Sequence, residues 1–168
     1  IGGGPAGYEG AIAAAEKGLK AAVAEMDQLG GTCLQRGCIP TKAILHSVKA
    51  VKQIQDFAKI GVRVEKFQVS AEEISRRKER IVAKQTRGIE LLFKQHGIQV
   101  LRGRAQVTGP GRVAIAGLGE EVAARHIVVA SGSRPAELPF LKADGDKVVG
   151  SDELLRLDRI PDSMLVIG

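Results

Sequence analysis

The spacing of apolar residues in the first third of the chain predicts helix, strand and helix in turn. Pro5 suits the first turn of a helix, and the alanine-rich stretch 6–17 predicts a tightly packed helix that ends at the next glycine. Residues 19–25 (LKAAVAE) form a short apolar run typical of a buried parallel strand. A second helix is predicted over residues 40–57, where apolar residues at helical spacing form one face.

The remainder of the chain changes from a long helical period to short apolar runs. Ser70 and Glu73 have the spacing of a capping box, which predicts the start of a helix that ends at His96-Gly97. Gly88 interrupts the apolar stripe of this helix. Glycine-rich turns then separate four predicted strands, at residues 98–101, 105–107, 113–116 and 126–130. The last strand is apolar throughout and is expected to be buried.

This order of elements predicts an α/β fold with a parallel sheet, helices and a small antiparallel β-meander. Both ends are expected to be interrupted, because a first strand should precede Gly2 and residues 165–168 are similar to a second strand that enters a glycine turn. We therefore expect an incomplete domain over residues 1–150. Residues 151–168 are expected to be a connection and the first strand of another domain.

Composition excludes several function classes. The net charge is +6 and basic residues concentrate in the stretch 76–104, but acidic residues interleave with them and aromatics make up only 3% of the chain. A solvated helix face accounts for this charge better than a nucleic-acid interface. The sequence contains no apolar run of about 18 residues and no secretory leader, so we expect no membrane span and a cytoplasmic location, or an organellar one after processing.

Three glycines at the start of the chain have the spacing of a dinucleotide-binding turn. Gly2, Gly4 and Gly7 fit G-x-G-x-x-G, in which the first allows the tight turn, the second admits a pyrophosphate and the third lets helix pack on strand. Glu25 ends the next predicted strand, where an acidic side chain holds a ribose hydroxyl pair. The pattern predicts a Rossmann-like turn for a dinucleotide with an unphosphorylated ribose, and it does not separate FAD from NAD.

Two cysteines precede the second predicted helix by a few residues. Cys33 and Cys38 are five positions apart in an expected loop, which allows them to come within disulfide reach. A helix N-terminus and Lys42 both favour a thiolate there, and a lysine in the first turn of a helix has no structural advantage. Two unreactive cysteines, a redox-sensing pair and half of a zinc site with His46 are the alternatives; zinc would need more ligands at better spacing.

The cysteine segment also resembles a known family. Residues 30–42, GGTCLQRGCIPTK, resemble the active-site disulfide segment of the pyridine nucleotide-disulfide oxidoreductases, flavoenzymes with FAD-binding, NAD-binding and dimerisation domains. The ending Ile-Pro-Thr-Lys is most similar to dihydrolipoamide dehydrogenases, which usually have serine before the lysine. Glutathione reductases tend to show Val-Pro-Lys-Lys and mercuric reductases Val-Pro-Ser-Lys. Residues 103–105 and 130–135 are similar to segments of the family beside the adenine and the flavin.

The resemblance implies a role for each of these residues. Cys33 would exchange with a dithiol substrate, Cys38 would be the thiolate against the flavin, and Lys42 would lie near flavin N5. Residues 1–150 would form the N-terminal portion of the FAD-binding domain, and residues 151–168 would lead into the NAD-binding domain. The implied FAD-binding residues are Gly2, Gly4, Pro5, Ala6, Gly7, Glu25, Met26, Gly31, Thr32, Cys33, Cys38, Lys42, Arg104, Ala105, Ala130, Ser131 and Gly132.

The resemblance further implies oxidation of dihydrolipoamide to lipoamide, with electrons passing through the cysteine disulfide and FAD to NAD. It implies a homodimer, attachment to a 2-oxoacid dehydrogenase complex, and no metal. The family's general base is a histidine from the C-terminal domain of the partner subunit, so this chain alone is expected to be inactive. A glutathione- or mercuric-reductase-like enzyme and a non-catalytic dinucleotide-binding module are the alternatives.

Overall fold

The computed structural model describes residues 1–156 and 159–167. The helices are α1 (Pro5–Glu16), α2 (Gly31–Arg36), α3 (Cys38–Asp56), α4 (Ala71–Gln95) and α5 (Ser151–Leu154), with a 3-10 turn at Phe57–Ile60. The strands are β1 (Ala22–Glu25), β2 (Gln99–Arg102), β3 (Ala105–Gly109), β4 (Arg112–Ile115) and β5 (Glu121–Ala123). The prediction of an α/β fold is confirmed. None of the helices within residues 1–156 and 159–167 combines the length and the hydropathy that a membrane-spanning helix requires.

Two small sheets flank the start of the chain. Strands β1 and β2 pair in parallel, with Glu25 opposite Arg102. An antiparallel meander is present as predicted, but its third strand is β5, at residues that were not predicted as a strand. Ile1 lies between β1 and residues 128–130, since its amine donates to Val128 O at 2.7 Å and the next amide, of Gly2, donates to Ala24 O at 2.8 Å. The carboxyl end of β1 therefore lies beside the glycine turn.

The predicted buried strand at residues 126–130 is wrong. Val128 and Val129 are 69% and 67% exposed, and the segment has no regular strand structure. Its hydrogen-bond partner is Ile1, to whose carbonyl Ala130 N donates at 2.8 Å, and pairing with one residue is too little to define a strand. Residues 165–167 are exposed and form no strand either, and Gly168 lies outside the described residues.

The core lies between α1, α4 and the parallel strands. Leu29 is fully buried, and Phe93 and Val23 are 2% and 3% exposed in the same cluster. Burying a side chain of this size stabilises the fold by about 1.5–3 kcal/mol. Because Leu29 directly precedes the Gly30-Gly31 pair that begins α2, the core fixes the base of the cysteine segment.

The predicted cap of the long helix is confirmed and can be tested. Ser70 Oγ accepts a hydrogen bond from Glu73 N at 3.2 Å. We expect Ser70→Ala to lower the free energy of unfolding by about 1 kcal/mol, because an amide at the helix start loses its acceptor. Ser70→Gly should lower the free energy of unfolding by only about a few tenths of a kcal/mol. Denaturant unfolding of the two variants checks this, and equal costs would contradict the capping role.

Candidate functional site

Two of the three glycines in the turn are required by close backbone contacts, and the third leaves open space. Gly2 has φ of +102°, and a Cβ there would lie 2.3 Å from Ala130 O. A Cβ on Gly7 would lie 1.8 Å from Gly2 O, so only glycine lets α1 pack this closely on the turn. At Gly4 the nearest atom to an added Cβ is Gly31 Cα at 3.7 Å, which leaves room above the turn. The geometry suits close approach of a ligand to Gly4, although its binding stays a prediction.

The N-terminus of α1 opens at this same place. Pro5 is the first helical residue and Gly4 is the N-cap, so no side chain of the cap occupies the first amide donors. The partial positive charge at the start of a helix and its free amide protons favour an anion such as a pyrophosphate. The amides of Ala6 and Gly7, in this first turn, are the donors that such a group would meet.

Glu25 holds the turn against the edge of the sheet. One carboxylate oxygen accepts from Gly3 N at 2.6 Å, and the other accepts from Asp27 N at 2.8 Å. Its backbone carbonyl also accepts from Gly103 N at 2.9 Å. The sequence indicated a ribose contact for Glu25 and missed this clamp. Since each carboxylate oxygen has a second acceptor position, the clamp still allows a ribose hydroxyl pair to bind.

The first cysteine lies on a short helix, α2, where the sequence indicated a loop. Gly30 and Gly31 have φ of +103° and +55°, and a Cβ on Gly31 would lie 2.6 Å from Gly4 Cα. Only glycine lets the start of α2 touch the glycine turn in this way. Gly37 then separates α2 from α3, and a Cβ there would lie 2.8 Å from Thr32 O. The two motifs found separately in the sequence therefore share one location.

The structure brings Cys33, Cys38 and Lys42 together at the start of α3. Both cysteines are thiols; Cys33 is half-buried and Cys38 is exposed. A hydrogen bond with the Cys38 side chain, burial and the charge of Cys38 raise the pKa of Cys33, in that order, whereas the Cys38 backbone amide and Lys42 oppose the rise. The raised pKa makes the Cys33 thiol harder to deprotonate than an isolated thiol.

Tyr8 is a neighbour of the dithiol that the sequence reasoning did not single out. It lies on the first turns of α1 and packs partly buried against the core. Burial, the charge of Glu9 and the charge of Cys33 all raise the pKa of Tyr8. No sequence pattern identifies it, because the proximity of α1 to α2 depends on the Gly4–Gly31 contact.

The other predicted residues lie around the same edge of the sheet. Ala130 O and Ser131 Cα face Gly2, and Gly132 has φ of +71°. Arg104 O accepts from Ala116 N at 2.9 Å, and Ala105 begins β3. Met26 follows Glu25 and is 72% exposed. Their contact with a cofactor stays a prediction.

The pairing of the two thiols predicts how their reactivity changes with pH. Cys38→Ala removes the hydrogen bond and the neighbouring charge, so the pKa of Cys33 should fall and Cys33 should react with iodoacetamide from a lower pH. Lys42→Ala should do the opposite, because the lysine charge favours the Cys33 thiolate. Alkylation rates measured against pH check both directions. Identical profiles in the parent and both variants would contradict the coupling.

The whole chain matches a single protein family. The family described as pyridine nucleotide-disulphide oxidoreductase matches residues 1–168. Dihydrolipoyl dehydrogenase of Bacillus subtilis (strain 168) is 37% identical over 179 residues, and dihydrolipoyl dehydrogenase 3 of Pseudomonas aeruginosa is 41% identical over 174. The mitochondrial dihydrolipoyl dehydrogenase of Pisum sativum is 39% identical over 173 residues. Each alignment covers 100% of this chain but only 38%, 37% and 34% of the relative.

Solved structures agree with this assignment. The crystal structure of LpdA from Mycobacterium tuberculosis is similar at a TM-score of 0.85 and 28% identity, over 96% of this chain and 37% of that one. The HOCl-induced flavoprotein disulfide reductase RclA from Escherichia coli shares the fold at a TM-score of 0.77 and 24% identity, over 96% of this chain and 34% of that one. The chain therefore belongs to the pyridine nucleotide-disulphide oxidoreductase family.

Proposed function

We propose that this chain is the N-terminal part of a flavin-dependent disulfide oxidoreductase that oxidises dihydrolipoamide to lipoamide and passes the electrons to NAD. The observation that carries the proposal is the contact of the cysteine helix with the glycine turn, where Gly31 and Gly4 approach closely. A nucleotide cofactor bound by the turn would lie beside the dithiol. The relatives named dihydrolipoyl dehydrogenase support lipoamide as the substrate.

The residues at the sheet edge fit FAD. Gly4 leaves room for a phosphate, the first turn of α1 supplies amide donors, and Glu25 keeps acceptor positions for a ribose. Residues 103–105 and 130–132 lie at the same edge and would complete the walls of the site. When bound, FAD supplies two-electron chemistry, accepting an electron pair from a dithiol and passing it to NAD.

The cysteines would carry out thiol–disulfide exchange. A substrate thiolate attacks Cys33 Sγ of the Cys33–Cys38 disulfide, the S–S bond breaks, and Cys38 leaves as a thiolate. The second substrate thiolate then attacks the substrate sulfur of the mixed disulfide, which forms lipoamide and releases Cys33. The substrate loses two electrons and two protons, and the cysteine pair gains the two electrons.

The electrostatic surroundings of Cys33 and Cys38 suit the proposed exchange. The hydrogen bond with the Cys38 side chain raises the pKa of Cys33, which links the reactivity of the two sulfurs. Lys42 is the fifth residue of α3, and its positive charge favours the Cys33 thiolate. Cys33 is half-buried and Cys38 is exposed, so both sulfurs are accessible in this chain.

The rest of the proposal concerns the larger protein. The chain spans little more than a third of its curated relatives, so the NAD-binding region and the general base would come from outside it. We propose that residues 1–150 belong to the FAD-binding domain and residues 151–168 lead to the NAD-binding domain. A homodimer, a cytoplasmic location and attachment to a 2-oxoacid dehydrogenase complex complete the proposal.

Steady-state turnover of the full-length protein tests the proposed substrate. NAD reduction is measured with dihydrolipoamide, and NADH or NADPH oxidation is measured with lipoamide, oxidised glutathione and mercuric ion. We expect kcat/KM for lipoamide to exceed that for the other two acceptors by about a hundredfold or more, because exchange requires the substrate to fit beside Cys33. A higher kcat/KM for oxidised glutathione or mercuric ion would contradict lipoamide as the substrate and identify the preferred acceptor instead. Absence of turnover with all three would leave a non-catalytic dinucleotide-binding module.

A further inference from the structure

The cysteine helix α2 is held on its far side by Gln35. Cys33 and Gln35 are two positions apart on this helix, so their side chains point in roughly opposite directions. Gln35 Nε2 donates to Leu29 O at 2.7 Å and to Thr86 Oγ1 at 2.9 Å. Leu29 is fully buried, Thr86 is 8% exposed, and both hydrogen bonds are partly buried. Both amide protons of Gln35 are therefore committed to fixed partners.

The chemistry of the partners determines how the amide is oriented. Leu29 O can only accept, and the Thr86 hydroxyl uses its own proton to donate to Val82 O at 3.1 Å. The side-chain nitrogen of Gln35, rather than its oxygen, must face both groups. Two hydrogen bonds from one planar amide, to the loop before α2 and to α4, resist rotation of α2 about its axis.

The same network reaches the glycine turn. Leu29 is followed by Gly30, whose amide donates to Gly3 O at 2.8 Å. A continuous path thus runs from α4 through Thr86 and Gln35 to the loop before α2, and from there to the turn that Glu25 clamps. Each hydrogen bond on this path is 2.6–2.9 Å long and joins partly or fully buried groups.

We propose that Gln35 is a positioning residue for the dithiol, and that its amide fixes where Cys33 stands relative to the glycine turn. The inference rests on the proposed function and adds the residue that sets the geometry of its reactive pair. Gln35 does not touch the reacting sulfurs. It acts through the orientation of α2, and displacement of a reacting group by about 1 Å costs up to about a hundredfold in rate.

Three variants of the full-length protein test the proposal. Gln35→Leu removes both hydrogen bonds at similar volume, Thr86→Val removes one of them, and Thr86→Ser keeps the hydroxyl. In the reduced protein, mass spectrometry gives the ratio of Cys33 to Cys38 alkylated by iodoacetamide. Lipoamide turnover and flavin content are measured on the same samples.

We expect turnover per bound flavin to fall about tenfold in Gln35→Leu and less in Thr86→Val, with a shifted alkylation ratio in both. Thr86→Ser should restore the parent ratio. A lower melting temperature with an unchanged ratio and turnover would make Gln35 merely structural and would overturn the proposal. If Gln35→Leu does not fold, the difference in alkylation ratio and turnover between Thr86→Val and Thr86→Ser tests the proposal. If the parent has no turnover, the proposed function fails, and the alkylation ratio still decides the positioning role.

Discussion

Cys38→Ser should abolish dithiol oxidation by the full-length protein while leaving its flavin bound. Serine cannot form the disulfide that the substrate reduces, so turnover should fall by about a thousandfold or more. The same change removes the thiolate expected beside the flavin, and the long-wavelength absorbance of the reduced protein should disappear. Steady-state kinetics and absorbance spectra measure the two effects. Retained turnover would contradict the role of Cys38.

Cys33→Ser is the matched control for this prediction. It also prevents the disulfide from forming, so turnover should be lost to a similar degree. It leaves the Cys38 sulfur in place, and the serine hydroxyl can still donate a hydrogen bond to it. We therefore expect Cys33→Ser to keep a long-wavelength band that Cys38→Ser lacks. The reverse pattern would mean that the two cysteines have exchanged roles.

Of the glycine-to-alanine changes in the turn, Gly7→Ala should lower the free energy of unfolding most. The added Cβ would lie 1.8 Å from Gly2 O and 2.9 Å from Gly2 C, both backbone atoms that no side-chain rotation can move. Overpacking of this kind requires the backbone of α1 to shift, and we expect a loss of about 3 kcal/mol or more in the free energy of unfolding. FAD content should fall as well, because the turn widens where the pyrophosphate would bind.

Gly10→Ala separates this clash from a general effect of alanine in α1. It lies three residues further along the same helix, and an added Cβ meets nothing within 4 Å. Alanine is favoured over glycine in a helix interior by about 1 kcal/mol, so this variant should be slightly more stable than the parent. Denaturant unfolding and flavin content measure both variants. Equal losses at Gly7 and Gly10 would contradict the steric account.

The sequence predicts the parts of the fold that depend on local spacing. The apolar periods of α3 and α4, the Ser70 cap and the glycine turns of the meander are all local signals, and the structure contains each of them. The helix α3 begins at Cys38, two residues before the predicted start, and the short strand β5 was missed. The helix α2 was missed because six residues are too few to show a helical period. The expected strand at residues 126–130 depends on a neighbouring strand, which local spacing does not reveal.

In the candidate site, the motifs could be predicted from the sequence but the contacts between them could not. The spacing of the three glycines and of the two cysteines identifies both motifs, because each is contained in a few consecutive residues. Their contact through Gly4 and Gly31, the clamp by Glu25 and the Gln35–Thr86 bond join residues that are 22 to 51 positions apart, or lie in separate motifs. Such contacts follow from tertiary packing, and they determine whether the motifs work together.

The absorbance spectrum of the full-length protein, before and after two-electron reduction by dihydrolipoamide, shows whether the cysteine pair and the glycine turn form one flavin-linked redox site. We expect a flavin spectrum with a new long-wavelength band after reduction, from a Cys38 thiolate beside the oxidised flavin. Bound flavin without this band would contradict the assigned role of Cys38, and a protein without flavin would contradict the site as a whole.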